Sequence, residues 1–588
     1  MKTKAWSAVL LLLLAPTPEF HQGIDYVIEA QLDETTNVLT GRAEVRYTNR
    51  SPNSLDTLFF HLYLNAFRPN SAWATRELQI DRRRFQDLGP DDHAYDRITA
   101  VTVNGRRVRP RFPFAPDSTV MAIRLRSPLP PKGVALITFD WTSRLATVPR
   151  RQGRQGRHYD WAHWYPRIAV YDTSGWQIQP LLPQGEFFGE FASYDVTLDV
   201  AADQVLGATG VPVSGDPGWK RVNATKEVAP IMKRTAYRPR PARALGLLAA
   251  IESGRKRIRW RAEQVHHFAW TADPNFIYEG SQLGDVALHA LYLPGDTLWP
   301  SSVINTMKSS IQFYDSIFGP YLYPQLTSAR RLDTGGTEFP MITMNATNPP
   351  IVHETGHQWA HAMLANNEFR EFWLDEGLVF FLGGMYAEAA GRSQSYGRNL
   401  IDIARLDSLG ASQPVALAAA EFRNFTVFQA MSYIKAALVL RMLRWYLGDE
   451  TFRRGLRLYY KQNKLEHVDE NDLRRAMSEA AGEKLDWFFH QWLHTTGTLD
   501  YGIAHASKSQ LPNGEWRTQI EITRSGGIWM PVDLRVGAAT RRLDSREQAY
   551  TIVMETKEEP TDVELDPEQV LIDIAQGNNR LEIQGEQE

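Results

Sequence analysis

His353-Glu354-Thr355-Gly356-His357, with Glu376 eighteen residues further on, is the group of side chains best suited to do chemistry in this chain. The surrounding text reads IVHETGHQWAHAML…FWLDEGLVFF. On a helix, residues four apart lie on one face, so both imidazoles can reach a single ion. Glu354 stands between them and can take a proton from water. Glu376, expected on a following helix, supplies a third ligand. Three protein ligands and one open position describe a catalytic rather than a structural zinc site, with one Zn2+ per chain. A metzincin arrangement would need a third histidine where this chain has Met363, so that reading fails. His361 comes one turn after His357. A helix does not easily bend three successive turns onto one ion, so His361 is expected behind the site or on the surface. Asp375 is placed either to orient a histidine by a hydrogen bond or to sit on a helix surface.

With these residues in view, the chain resembles the gluzincin aminopeptidases, the family of membrane alanyl aminopeptidase and leukotriene hydrolase. Three further stretches carry the likeness. Gly335-Gly336-Thr337-Glu338-Phe339-Pro340 looks like a variant of the family's G-x-M-E-N motif. The resemblance implies that Glu338, with Gly335 and Gly336, binds the substrate's free amino terminus. Phe339 and Thr337 depart from that motif, which leaves an endopeptidase or another hydrolase on the same scaffold as alternatives. Tyr433-Ile434-Lys435-Ala436 resembles the Y-x-K-G segment, which implies that Tyr433 stabilises the tetrahedral intermediate. Trp164 to Asp172 is similar to an amino-terminal segment of the family. The likeness implies a zinc metallopeptidase acting on peptides. A non-catalytic binding protein on the same fold is the reading from a different class.

The elements that must hold these residues fall into three folded regions. Residues 21–284 alternate apolar and polar side chains, as in IDYVIEAQLD and YDVTLDV, and predict a large antiparallel β domain. The resemblance implies the family's saddle shape for it. Residues 285–499 turn helical after a mixed start and suit a thermolysin-like catalytic domain. TEFPMITM within them has strand character, and Pro340 confines it to an edge, where a peptide can add as a further strand. Residues 500–588 return to strands and predict a small β-sandwich ending in a loose tail. Arg150, Arg151, Arg154 and Arg157 read as a solvated basic turn.

Composition bounds the rest. A net charge of −3 gives no electrostatic footprint for a nucleic-acid partner. The chain has no cysteine, so thiolate ligands and disulfides are excluded. Residues 1–20 have two lysines, then an apolar run too short to span a bilayer, then Pro16. That pattern predicts a signal peptide and a periplasmic or secreted enzyme without a transmembrane anchor in the mature chain.

Overall fold

The expected period-two alternation is carried by real strands. In Gly23–Asp33, the side chains of Ile24, Tyr26, Ile28, Ala30 and Leu32 are all buried, while Asp25 and Asp33 face out. The computed structural model that shows this describes residues 20–224, 243–248, 251–392 and 396–585. The expected signal segment therefore lies, apart from Phe20, outside the described residues.

The N-terminal region is β-rich. Its largest sheet has eight strands, and Gly23–Asp33 lies near its centre. One neighbour, Val38–Thr48, pairs with it antiparallel, as a hairpin should. The other, Ala192–Ala201, runs parallel to it, with Tyr26 opposite Tyr194. The sheet is therefore mixed rather than purely antiparallel. A hairpin dictates the direction of a sequential partner, but a strand some 160 residues away is free of that constraint. A separate four-stranded sheet contains His158–Trp161 and Trp270–Asp273.

The middle of the chain holds a mixed five-stranded sheet. Its order is Ile277–Leu283, Val286–Tyr292, Gln325–Arg330, Ile342–Asn345, Gly336–Phe339. The strand Ile277–Leu283 pairs here as a hairpin, so this unit begins before the 284/285 boundary read from the sequence. The strand Gly336–Phe339, which carries Glu338, is an edge strand. Helices cover the sheet and follow it, among them Ser302–Ile317, Ile351–Gly356 and Leu378–Ala389. A long helical run from Phe425 to Leu447 meets the length and composition of a membrane span. Its apolar window is 72% buried inside the protein, so it serves as a core helix.

After Asp500 the chain forms two four-stranded sheets. The expected loose tail is part of them. Arg580–Glu582 pairs with Asp562–Leu565, and Gln584–Gly585 runs beside Asp500–Gln510. Leu581 opposite Val563 supplies an apolar cross-strand pair that a polar-looking tail sequence conceals.

Candidate metal centre

The helix Ile351–Gly356 is short, and His357 caps it while keeping right-handed helical dihedrals. That is enough to place His353 and His357 on one face. Their Nε2 atoms lie 3.1 Å apart. Glu376 Oε2 is 3.0 Å from His353 Nε2 and 3.4 Å from His357 Nε2. The three atoms form a nearly equilateral triangle. Ligands held tetrahedrally at about 2.0–2.1 Å from one ion stand about 3.3 Å apart, so this triangle fits zinc. Glu376 Oε2 is buried and accepts no hydrogen bond, as an atom reserved for an ion would be.

The chain behind the triangle also fits. His357 Nδ1 is 2.6 Å from Asp375 Oδ1, and both side chains are fully buried. A carboxylate on Nδ1 fixes the ring and leaves Nε2 to face an ion. Burial disfavours charge on His357, yet Asp375 and Glu376 outweigh it and push its pKa well above the ordinary value. Burial alone would raise the Glu376 carboxyl, but His357 and His353 draw it down, so it stays an anion. Asp375 thus takes the orienting place, not the surface one.

Glu376 and Tyr433 both sit on π-helical turns, Trp373–Gly377 and Ala430–Lys435. Such turns insert one extra residue into a helix and recur at functional sites. The two turns pack directly on each other at Gly377, where a Cβ would stand 2.8 Å from the Ser432 carbonyl oxygen. This contact brings the Tyr433 hydroxyl within 2.7 Å of Glu376 Oε1, to which it donates a hydrogen bond. Burial, followed by the Glu376 charge, raises the Tyr433 pKa well above 10, so the phenol remains a donor. Lys435, two residues on, makes a fully buried ion pair with Asp407 at 2.8 and 2.9 Å.

The edge strand closes the site from the other side. Ligand atoms of Glu338, Glu354 and His357 lie within 4.8 Å of one another. Glu338 Oε1 and Glu354 Oε2 are buried without hydrogen-bond partners. Burial raises both carboxyls, that of Glu354 to about 7. Gly336 is in direct contact with Glu354, and a Cβ there would collide with its carboxylate. Gly335, at φ +70°, turns the chain into the strand with open space around it.

Gln358 and Arg151 have places that the sequence does not predict. Gln358 donates from Nε2 to the Phe339 carbonyl at 3.1 Å and accepts from the Met341 N–H at 2.8 Å, pinning the edge strand to the helix exit. Its type and position carried no motif. Arg151 is not in a solvated turn: it is buried, pairs with Glu186, and lies 5.1 Å from the Phe187 ring centre. Burial costs this charge and lowers its pKa to about 9, yet a guanidinium is more weakly hydrated than an ammonium and can lie over an aromatic face, and a sequence does not reveal the ring beneath it. Arg157 does sit near the surface, paired with Asp203 at 2.7 Å. His361 is fully buried, behind the site rather than on the surface, and its neighbours come from distant segments.

Comparison with known proteins agrees with this geometry. Residues 341–492 match the Peptidase family M1 domain. The chain is similar to the tricorn protease-interacting factor F2 of Thermoplasma volcanium, at 26% identity over 33% of this chain and 28% of that one. It is similar to glutamyl aminopeptidase of Bos taurus, at 29% identity over 33% of this chain and 23% of that one. The matches thus span less than a third of these relatives. A crystal structure of an M1 zinc metallopeptidase from Deinococcus radiodurans has the same fold, with a TM-score of 0.54 at 17% identity, covering 81% of this chain and 94% of that one. Residues 341–492, which hold the HETGH helix and the ligand triangle, are thus similar to the Peptidase family M1 domain.

Proposed function

We propose that this protein is a zinc-dependent aminopeptidase that hydrolyses amino-terminal residues from peptides. The observation that carries the reading is the meeting of the His353–His357–Glu376 triangle with two unpartnered buried carboxylates, Glu354 and Glu338. Held by those three residues, zinc supplies Lewis acidity, polarising the scissile carbonyl and making water acidic enough to react near neutral pH.

The chain's own residues do the rest. Glu354 takes the proton from the attacking water and passes it to the departing amine. A carboxyl poised near 7 is matched to that task, and a nearby dication favours its ionised form. Tyr433 turns its hydroxyl from Glu376 to the developing oxyanion. Glu338, which lacks a partner for Oε1, pairs with the substrate ammonium and so fixes which peptide bond meets the metal. The edge strand Gly336–Phe339 offers its free backbone groups to the peptide. A cavity of about 620 Å³ beside His353 and Tyr433, lined by Val352, Val379, Phe380 and Tyr386, receives an apolar side chain.

The finer architecture follows the same reading. A saddle-shaped N-terminal domain, a thermolysin-like catalytic domain and a C-terminal β-sandwich account for the three groups of sheets. Export to the periplasm or medium is supported by the basic and then apolar start of the sequence.

The test is hydrolysis of paired fluorogenic peptides, amino-free and amino-acetylated, by wild type and Glu338→Ala. Turnover of the free amines only, lost with Glu338, supports the aminopeptidase. Cleavage of acetylated peptides that ignores Glu338 makes the protein an endopeptidase on the same zinc site. The replacement of the motif's asparagine by Phe339, which stacks on Phe187 at 5.2 Å, motivates that second reading.

A further inference from the structure

A second set of ligating side chains lies behind the candidate active site. His266 and His267 form the turn between the strands Arg255–Val265 and Trp270–Asp273. His361 follows the HETGH helix at φ +147°, a conformation that side-chain-bearing residues rarely adopt. That kink ends any continuation of the helix and separates His361 from the face that carries His353 and His357. Glu368 follows the short strand Leu364–Asn366. All four side chains are buried, at 1%, 3%, 1% and 0% exposure in that order.

Their ligating atoms converge, and several of them have no other partner. One nitrogen from each of His266, His267 and His361 lies within 4.8 Å of the others. The Nδ1 atoms of His266 and His267 share a hydrogen bond at 2.5 Å, which a bound ion would replace. His266 Nε2–H donates to the His361 carbonyl at 3.0 Å, which holds the ring and leaves Nδ1 with its lone pair. Glu368 Oε2 accepts the Phe187 N–H at 2.5 Å, and its Oε1 meets His361 Nδ1. His267 Nε2 and His361 Nε2 have no hydrogen-bond partner. Core histidines satisfied by hydrogen bonds would not leave such atoms orphaned, because each costs about 1–3 kcal/mol. Among the described residues no lysine or arginine makes an ion pair with Glu368. Burial keeps His266 and His267 neutral, the form of imidazole that binds metal.

We propose that His266, His267, His361 and Glu368 bind a second divalent transition-metal ion of the zinc type, distinct from the catalytic one. The three imidazoles form one group and Glu368 joins it through His361; three imidazoles with a carboxylate would close the shell of the ion, as in a structural site. The ion would clamp the N-terminal β region, through His266 and His267, to the chain leaving the HETGH helix, through His361 and Glu368. Asp375 links the two centres: it orients His357, and its carboxylate lies within 4.8 Å of the His361 and Glu368 ligand atoms.

The test is metal content by elemental mass spectrometry on the full chain, loaded with zinc and dialysed against chelating resin. Wild type should hold two zinc ions per chain. His353→Ala and His267→Ala should each hold one, and the double variant none. Chelating the remaining ion from His353→Ala should lower its melting temperature. One ion in wild type with none in His353→Ala overturns the proposal, and this comparison stands even if His267→Ala fails to fold. One ion in wild type that survives in His353→Ala and vanishes in His267→Ala upholds the buried site and refutes the catalytic one instead.

Discussion

Gly336→Ala isolates the placement of Glu354 from its chemistry. The new methyl would occupy space now filled by the Glu354 carboxylate, closer than real Cβ contacts ever come. Gly336 is paired on one side in its sheet, opposite Asn345, so its backbone has little freedom to retreat. Glu354 must therefore move, by roughly 1 Å or more, to restore van der Waals separation. A displacement of about 1 Å in a catalytic group costs on the order of 100-fold in rate, and a positioned acid–base group is worth about 10²–10⁴-fold in total. Gly336→Ala should therefore lower kcat by about 10²–10³-fold and leave KM within a few-fold. Zinc content and melting temperature should stay near wild type, because Glu354 is not a ligand of the triangle. Glu354→Gln sets the floor, and the two changes together should cost no more than Glu354→Gln alone. The assay is steady-state hydrolysis of an amino-free fluorogenic peptide, with metal analysis on the same samples. Wild-type kcat in Gly336→Ala would refute the reasoning, as would a rate loss that merely tracks lost zinc.

Tyr433→Phe should lower kcat by about 10²–10³-fold with zinc retained, the cost of one oxyanion donor; a change confined to KM would place Tyr433 in binding instead. Asp375→Asn should weaken zinc affinity by about 10–100-fold in a competition titration with a chromogenic chelator, because His357 loses the carboxylate that orients it; unchanged affinity would make that contact incidental. A pH effect on stability follows from His158, which lies 3.0 Å from Asp160 and 2.9 Å from Asp273. Burial opposes its charge, but the two carboxylates win and raise its pKa from 6.5 to about 9. Its contribution, about 3 kcal/mol, is full below pH 6.5 and is lost as pH rises through about 9. The urea-unfolding difference between wild type and His158→Gln should shrink over that window, and a difference independent of pH would sink the assignment.

What the sequence disclosed was what local periodicity encodes. The four-residue spacing of His353 and His357 predicts a shared helix face, and the shared face is observed although the helix stops at Gly356. Alternation in GIDYVIEAQLD predicts a strand with one buried face, and Ile24 to Leu32 line it. Pro340 is expected within a single edge strand; it instead stands in a hairpin turn, with the edge strand Gly336–Phe339 before it and the interior strand Ile342–Asn345 after it, because the missing N–H suits the turn as well as an edge. What stayed hidden depends on contacts between distant segments. The parallel pairing of Tyr26 with Tyr194 joins residues with no hairpin between them. Arg151 looked solvated because Phe187 and Glu186 lie elsewhere in the text. His361 looked like a bystander because His266 and His267 precede it by some 95 residues. No window of a few turns contains such a cluster.

The π-helical turns show why even a correct motif underdetermines its site. Read as regular helices, the segments around Glu376 and Tyr433 have the same residues and the same apolar pattern as the observed ones. One inserted residue per turn rotates everything after it by about 100°, and this rotation decides whether a carboxylate and a phenol meet. Here they meet at 2.7 Å because Gly377 lets the two turns touch and no larger residue would. A π turn is weaker than the α-helix it interrupts, so something outside it must hold it. The buried Lys435–Asp407 pair ends the Tyr433 turn and anchors it to the helix Gly397–Ser408. The His357–Asp375 hydrogen bond does the same for the Glu376 turn. Breaking a buried pair by removing one partner costs about 3–5 kcal/mol. That cost arises because the remaining charge would be left buried and unpaired, so each pair fixes the place of the turn it holds.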